Sequence, residues 1–494
     1  MFSWLSSLFS TPKATPPPPG MRTIPCSAVD LSTARDLVLT TGLVINARLD
    51  PERLEETLSK LIQSKFPCAG GRVAFRNGVY EFQIPETFDA GTPPARFTVE
   101  DYPEAYNCAG RPEIPIALRG PEPSVMPAPD LKAFLRSNTC PKSLEDFLQP
   151  NVPLLHIHVA VFNDLTFLGV TAPHIAFDAL GTGTLLDAWT RALSGDDIDT
   201  IQGMERDVEP FESFTPAPNV GSIKPQVKRG WFDFGPLSQL NFIVRFLLRI
   251  IADPKEVRCF VRVPKAFLHD VKQTIMDELK AQGSSEYVGS SDVLMAWWLK
   301  TVYSHRAPTD HTPIHLHIVT DVRGKPIFAD DALLAHPYIH NAVMTIAVPP
   351  LPVSAFRTES IGALALRMRR AIVAYNADPA GVRADLSWLC SESNALKTVF
   401  PGPPGAEFSV QSSWRAAKFG ELDFSGAEAG PGDRTEKGKA RVVFVNPVIS
   451  SSKPLPMRGS GGVLMEDEEV IWMDQHRGEK DWERIRRRGE ILFA

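Results

Sequence analysis

The chain has 494 residues, 43% hydrophobic and 22% charged, which suits a soluble globular protein of two or three domains with a sizeable core. A net charge of -6 gives no basic face for nucleic acid. The six cysteines contain no C-x-x-C pair, and there is no N-x-S/T acceptor, so a zinc site and a secreted disulfide framework are both disfavoured.

Residues 1–20 read as a disordered tail: a short apolar stretch, Phe2 to Phe9, runs into Pro16 to Pro19 without a basic n-region or a cleavage pattern. Residues 21–215 read as a first α/β domain. A strand-like run, Gly42 to Ala47, precedes Asp50-Pro51, which opens a helix with the stripe Leu54, Leu58, Leu61 and Ile62. Asn77-Gly78 signals a hairpin. Leu165 to Val170 is a buried strand, and Leu185, Leu186, Ala188, Trp189 and Leu193 have helical spacing, so a helix starts near Asp178 or Gly181.

Between that strand and that helix lies His174-Ile175-Ala176-Phe177-Asp178, an H-x-x-x-D spacing. A neutral imidazole in such a loop can take a proton from an alcohol or amine near pH 7. Two fixed letters in five recur by chance, so a core histidine bonding a carbonyl is the competing reading.

Residues 216–255 form a crossover, with a helix over Leu237 to Ile251 that is too short to span a bilayer and is interrupted by Arg245 and Arg249. Residues 256–494 form a second α/β domain. Cys259 to Val263 is a strand, Phe267 to Leu279 a helix, and Ser290-Ser291-Asp292 caps a helix carrying Trp297 and Trp298. His315 to Thr320 is an alternating strand, and residues 426–438 form a loop. There is no G-x-S-x-G elbow and no H-E-x-x-H. Gly181-Thr182-Gly183 lacks the third glycine of a dinucleotide fingerprint.

Five segments in one order resemble the BAHD acyltransferases. Leu54 to Leu61 with Phe66 to Arg72 is similar to that family's opening helix and its P-x-L-A-G-R turn, and His174 to Asp178 to its H-x-x-x-D. Ser291-Asp292 to Trp297 resembles S-T-x-D-x-L-x-A-x-x-W, and Asp321 to Lys325 with Tyr338 to Ala342 resembles N-x-R-x-R … Y-F-G-N-A. Ser412-Ser413-Trp414 with Leu422 to Gly426 resembles T-S-W … D-F-G-W-G. The resemblance covers about residues 28–430, and the long crossover and proline-rich inserts look more like fungal members than plant ones. It departs at Ser425-Gly426-Ala427, where the last three letters of D-F-G-W-G are missing. It departs again at His340, which replaces a glycine, and at Ala179 after the aspartate.

The resemblance implies two similar mixed-sheet α/β domains with a central channel between them, and an acyl-CoA co-substrate with no permanent cofactor and no metal. His174 is then the general base for acylation of a hydroxyl or amine of a small metabolite, without a covalent intermediate. Trp414 is either an oxyanion donor or a packed aromatic. Asp178 pairs with Arg323, caps the helix, or does both. Asp423 holds a loop through a cation; Ser412, Ser291 and Asn341 are candidate substrate-binding or supporting groups. The same reading gives a cytoplasmic monomer without a membrane or nucleic-acid partner. Its rivals are a condensation-type domain served by a carrier protein, against which Pro173 stands where a second histidine is usual, and an inactive binding protein of the same fold.

Overall fold

The computed structural model describes residues 18–494 except 33, 108–109, 118–119, 207, 215–226, 329–336, 392–398, 431–438 and 454–456. The tail at residues 1–20 lies almost wholly outside the described residues, as do most of the 426–438 loop and the start of the 216–255 segment.

Two mixed sheets carry the fold. The first runs Val442–Val445, Val38–Ile45, Thr166–Pro173, His156–Val161, Arg96–Asp101, and Val448–Ser450 also pairs with Val38–Ile45. The second has eight strands, in the order Val343–Pro352, Pro313–Asp321, Glu407–Ser413, Ser460–Glu466, Val470–Gly478, Glu256–Pro264, Ser124–Pro127, Leu492–Phe493. A three-stranded sheet joins Met21–Pro25, Val79–Pro85 and Arg72–Arg76. Each large sheet is completed by strands from the other half of the chain. Ser124–Pro127 runs antiparallel to Glu256–Pro264, and Val442–Ser450 lies along Val38–Ile45.

Local chemistry explains the central elements. Every residue of Thr166–Pro173 is buried, as expected for a strand covered on both faces. Asn77 and Gly78 both take positive φ, the requirement of a two-residue hairpin turn. Asp50 caps the helix Pro51–Lys65 by accepting from Glu52 N and Arg53 N. The helix Ser290–Tyr303 is capped differently from the sequence expectation. Gly289 is its N-cap residue, and Asp292 reaches back to accept from Gly289 N at 2.7 Å. Trp298, Leu294 and Val302 of that helix pack on the second sheet.

The helix Pro236–Ala252 docks on the surface through Phe242 on Phe400 (4.6 Å between centroids) and Arg249 on the Gly405 and Ala406 carbonyls (3.0 Å each). Its opposite face leaves Leu237, Leu240, Leu248 and Ile251 exposed. Among the described residues no helix is long and apolar enough to cross a membrane.

The helix Ala179–Leu193 sits where the two halves meet, and two glycines let it in. A Cβ on Gly181 would lie 1.8 Å from the Ile339 carbonyl oxygen, and one on Gly183 would lie 2.7 Å from Ala417 Cβ. The short Gly181 contact is with main chain, which cannot rotate aside. Gly181→Ala should therefore destabilise the protein by about 1–3 kcal/mol or more. Denaturant unfolding checks this; wild-type stability in the variant would refute the close approach.

Candidate active site

The strand Thr166–Pro173 ends with Pro173 opposite Val38, and His174 N donates to Leu37 O at 2.8 Å. This register places the His174 turn at the end of a central strand of the first sheet. The turn closes with Ala176 N on Pro173 O (2.9 Å), and Ile175, Ala176 and Phe177 are buried beneath it. Asp178 then caps the helix Ala179–Leu193, its Oδ1 accepting from Gly181 N at 2.7 Å.

Asp178 is 3% exposed and holds a second set of donors. Arg323 Nη2 donates to Oδ1 (3.1 Å) and Oδ2 (3.0 Å), and Ala342 N donates to Oδ2 (2.9 Å). Helix capping and the arginine pair thus coexist on one carboxylate. Arg323 also donates to Asp321 Oδ1 (2.9 Å), to Tyr338 O (2.8 Å) and to His340 O. Burial opposes the guanidinium charge, but Asp178 and Asp321 outweigh it and hold Arg323 above its usual range.

A second clamp grips the turn from below. Asn341 Nδ2 donates to the carbonyls of His174 (2.9 Å) and Ile175 (3.1 Å) and to Asp30 Oδ1 (3.0 Å). Asp30 is buried and accepts on Oδ2 from Ser27 N (2.8 Å) and Ser27 Oγ (2.7 Å). Burial pushes its carboxyl up to about 6, against the lowering by those hydrogen bonds. Sequence reasoning missed Asp30 because it lies in a loop before the first periodic strand. The Ser27-x-x-Asp30 spacing, a capping-type pattern ahead of an apolar run, was the available signal.

His340, which stands in place of the glycine, stacks between Phe82 (4.6 Å) and Phe177 (5.7 Å). Its Nδ1–H donates to Ala176 O at 2.9 Å, and burial lowers its pKa to about 4, which keeps the ring neutral.

The half-buried His174 ring has its Nδ1 occluded, with no hydrogen-bond partner beyond the pull of its own main-chain carbonyl. Nε2 is left open to a cavity of about 440 Å³. One face of the eight-stranded sheet floors that cavity with Val319, Thr345, Val410 and Ser412, while Leu39, His174 and Leu180 wall it from the first sheet. Burial lowers the His174 pKa, opposed by its own carbonyl and by the charges of Asp178 and Asp30.

Trp414 and Ser412 line the same cavity. Trp414 packs edge-on against Phe419 (6.1 Å) and its main-chain N donates to Val463 O (2.8 Å), so the ring is held while its Nε1–H finds no acceptor among the described residues. A second cavity of about 440 Å³, lined by Asp30, Phe82, Tyr338 and His340, shares Leu389 with the first. The second cavity reaches the turn only through His340, which bonds Ala176 O.

Two sequence candidates for substrate contact do not reach the cavity. Ser291 sits at a helix start, where its hydroxyl accepts from Arg415 Nη1 at 2.9 Å. Asn341 is 2% exposed, its amide nitrogen being consumed by the clamp just described. Asp423 lies away from the cavity and accepts from Lys439 Nζ and Ser425 N (2.8 and 3.0 Å), bracing the turn ahead of strand Val442–Val445. Among the described residues no group of His, Cys, Asp and Glu is placed to hold a metal ion.

The acetyltransferase adrJ of Penicillium rubens is 28% identical over 443 residues, covering 84% of this chain and 85% of that protein. The O-acyltransferase pboC of Aspergillus ustus is 25% identical, covering 88% and 92%. The fold is that of F. graminearum TRI101, solved with coenzyme A and T-2 mycotoxin, at a TM-score of 0.62 and 15% identity over 94% of this chain and 97% of that one. The model of the Transferase family matches residues 127–454, most of the chain and the whole His174–Asp178–Arg323 constellation. The chain therefore belongs to the Transferase family of BAHD-type acyltransferases, and it is an enzyme that moves an acyl group onto a small metabolite.

Proposed function

We propose that the donor is an acyl-CoA, that the acceptor group is a hydroxyl, and that His174 is the general base. The observation that carries this reading is the open Nε2 of His174 in a cavity shared with Trp414 and Ser412, on a turn whose main chain is held from two sides. Acceptor and thioester meet in this cavity, so proximity replaces any covalent enzyme intermediate. Nε2 removes the acceptor proton as its oxygen attacks the thioester carbonyl. The charge that develops on the carbonyl oxygen accepts from Trp414 Nε1–H. Collapse expels the CoA thiolate, which regains a proton from His174. Ser412 lies within the same lining and orients the acceptor.

Asp178 has a different role. All its donors are structural, and it faces Arg323 and the helix rather than the reacting atoms. We also read the enzyme as a cytoplasmic monomer; the buried thiols of Cys26, Cys140, Cys259 and Cys390 support a reducing compartment.

His174→Ala should lower turnover by about 10²–10⁴-fold with an unchanged melting temperature; full activity would remove His174 from the chemistry. Asp178→Asn leaves Arg323 short of a charge in a buried site. It should cost stability toward the lower end of about 3–5 kcal/mol, because Asp321 still pairs with the guanidinium. A variant that unfolds like wild type yet is inactive would give Asp178 a chemical role. The base must be neutral to act, and burial depresses its pKa. The rate should therefore hold as pH falls through ~6.5, the unperturbed value, and drop only below it. A midpoint at or above that value in a pH–kcat profile would contradict the buried-imidazole assignment.

A further inference from the structure

The carboxylates that line the His174 cavity all have cationic partners. Asp178 and Asp321 share Arg323, and Asp474 is paired with Arg258 at 2.8 Å. Lys228 lines the same cavity and is 7% exposed, yet no carboxylate pairs with it among the described residues. Among the described residues its Nζ donates only to the Thr345 hydroxyl, at 2.7 Å. That hydroxyl is shared, since Trp231 Nε1 donates to it at 3.0 Å. The Trp231 ring face lies 5.7 Å from Nζ. The nearest acidic influence is Asp385, whose two oxygens are taken by Arg229: Oδ1 by its N (3.1 Å), Oδ2 by its Nε and Nη2 (2.8 Å each).

A buried ammonium with one neutral acceptor is an expensive arrangement unless a ligand supplies the missing charge. Much of the lining is apolar, with Leu39, Val319, Val343 and Val410 among it, so little of it competes for charge. An ammonium has three donors, of which Thr345 uses one. Burial lowers the Lys228 pKa to about 8, so the group is still mostly charged near pH 7.

We propose that Lys228 is a specificity-determining residue that binds an anionic oxygen, a carboxylate, carried by one of the two molecules that meet in this cavity. The inference rests on reading the cavity as the acyl-transfer site and adds the charge class of what it receives. The carboxylate could come from the acceptor or from the acyl group of the donor; the chemistry at Nζ is the same.

The test is binding rather than turnover, so it stands apart from the assay of acyl transfer. Titration calorimetry on the full-length protein compares 4-phenylbenzoate with its methyl ester, and malonyl-CoA with acetyl-CoA. The wild type should prefer the charged member of at least one pair by about tenfold or more. A preference within the first pair assigns the carboxylate to the acceptor, and one within the second assigns it to the donor. Lys228→Met, which keeps the length of the side chain, should reduce that preference to about twofold or less, while Lys228→Arg keeps most of it. Equal binding within both pairs by the wild type overturns the proposal, whether or not the variants fold. So does a preference that survives in folded Lys228→Met. If CoA is never released with any acceptor, the acyl-transfer reading fails while the binding result still stands.

Discussion

The buried ion pair between Asp178 and Arg323 is the constraint on which the site depends. It joins the His174 turn and the helix behind it, on the first sheet, to the 338–342 loop and to Asp321, the last residue of a strand in the second. Moving two charges out of water is costly, and Coulomb attraction alone often fails to offset it. Here the remaining valences are also filled. Asp178 accepts from two main-chain N–H groups, and Arg323 donates to two main-chain carbonyls besides its carboxylates. A network satisfied to this degree specifies one arrangement of the two halves. Gly181 makes that arrangement possible, since any side chain there would strike the loop that Arg323 holds.

The Asp30–Asn341 clamp works on the same turn from the opposite direction. It holds main-chain oxygens, not the imidazole itself, so the ring keeps its freedom of protonation while its Cα is fixed. His340 adds mass rather than charge. Its neutral ring fills the space between Phe82 and Phe177, and the residue that departs from the family glycine has become part of the packing. Three neighbours of His174 are therefore ionisable or polar groups with structural work, while Trp414, Ser412 and Lys228 line the cavity beside it.

Much of this was legible in the amino-acid order. The helix stripe of Leu54, Leu58, Leu61 and Ile62, the Asn77-Gly78 turn and the strand before His174 depend on local chemistry, and each was readable within a short window. The partnership of Asp178 with Arg323 was reachable only through the family resemblance, because 145 residues separate the two. Asp30 was not found because a loop has no periodicity to draw attention to it. Ser291 was placed at the site on its neighbours in sequence, whereas its hydroxyl is engaged by Arg415. Lys228 sat in a stretch that reads as a polar crossover, and nothing in its neighbours shows that it folds under Trp231 and over the sheet.

The exchange of strands between the sheets has a consequence for biosynthesis. Val38–Ile45 leaves the ribosome long before the strands that cover its outer edge, Val442–Val445 and Val448–Ser450. Until they arrive, that edge presents unpaired main-chain groups, the kind of surface on which nascent chains aggregate. Synthesis at roughly 5–20 residues per second keeps the edge bare for tens of seconds. The order of synthesis therefore leaves one edge of the first sheet open long after its own residues have been made.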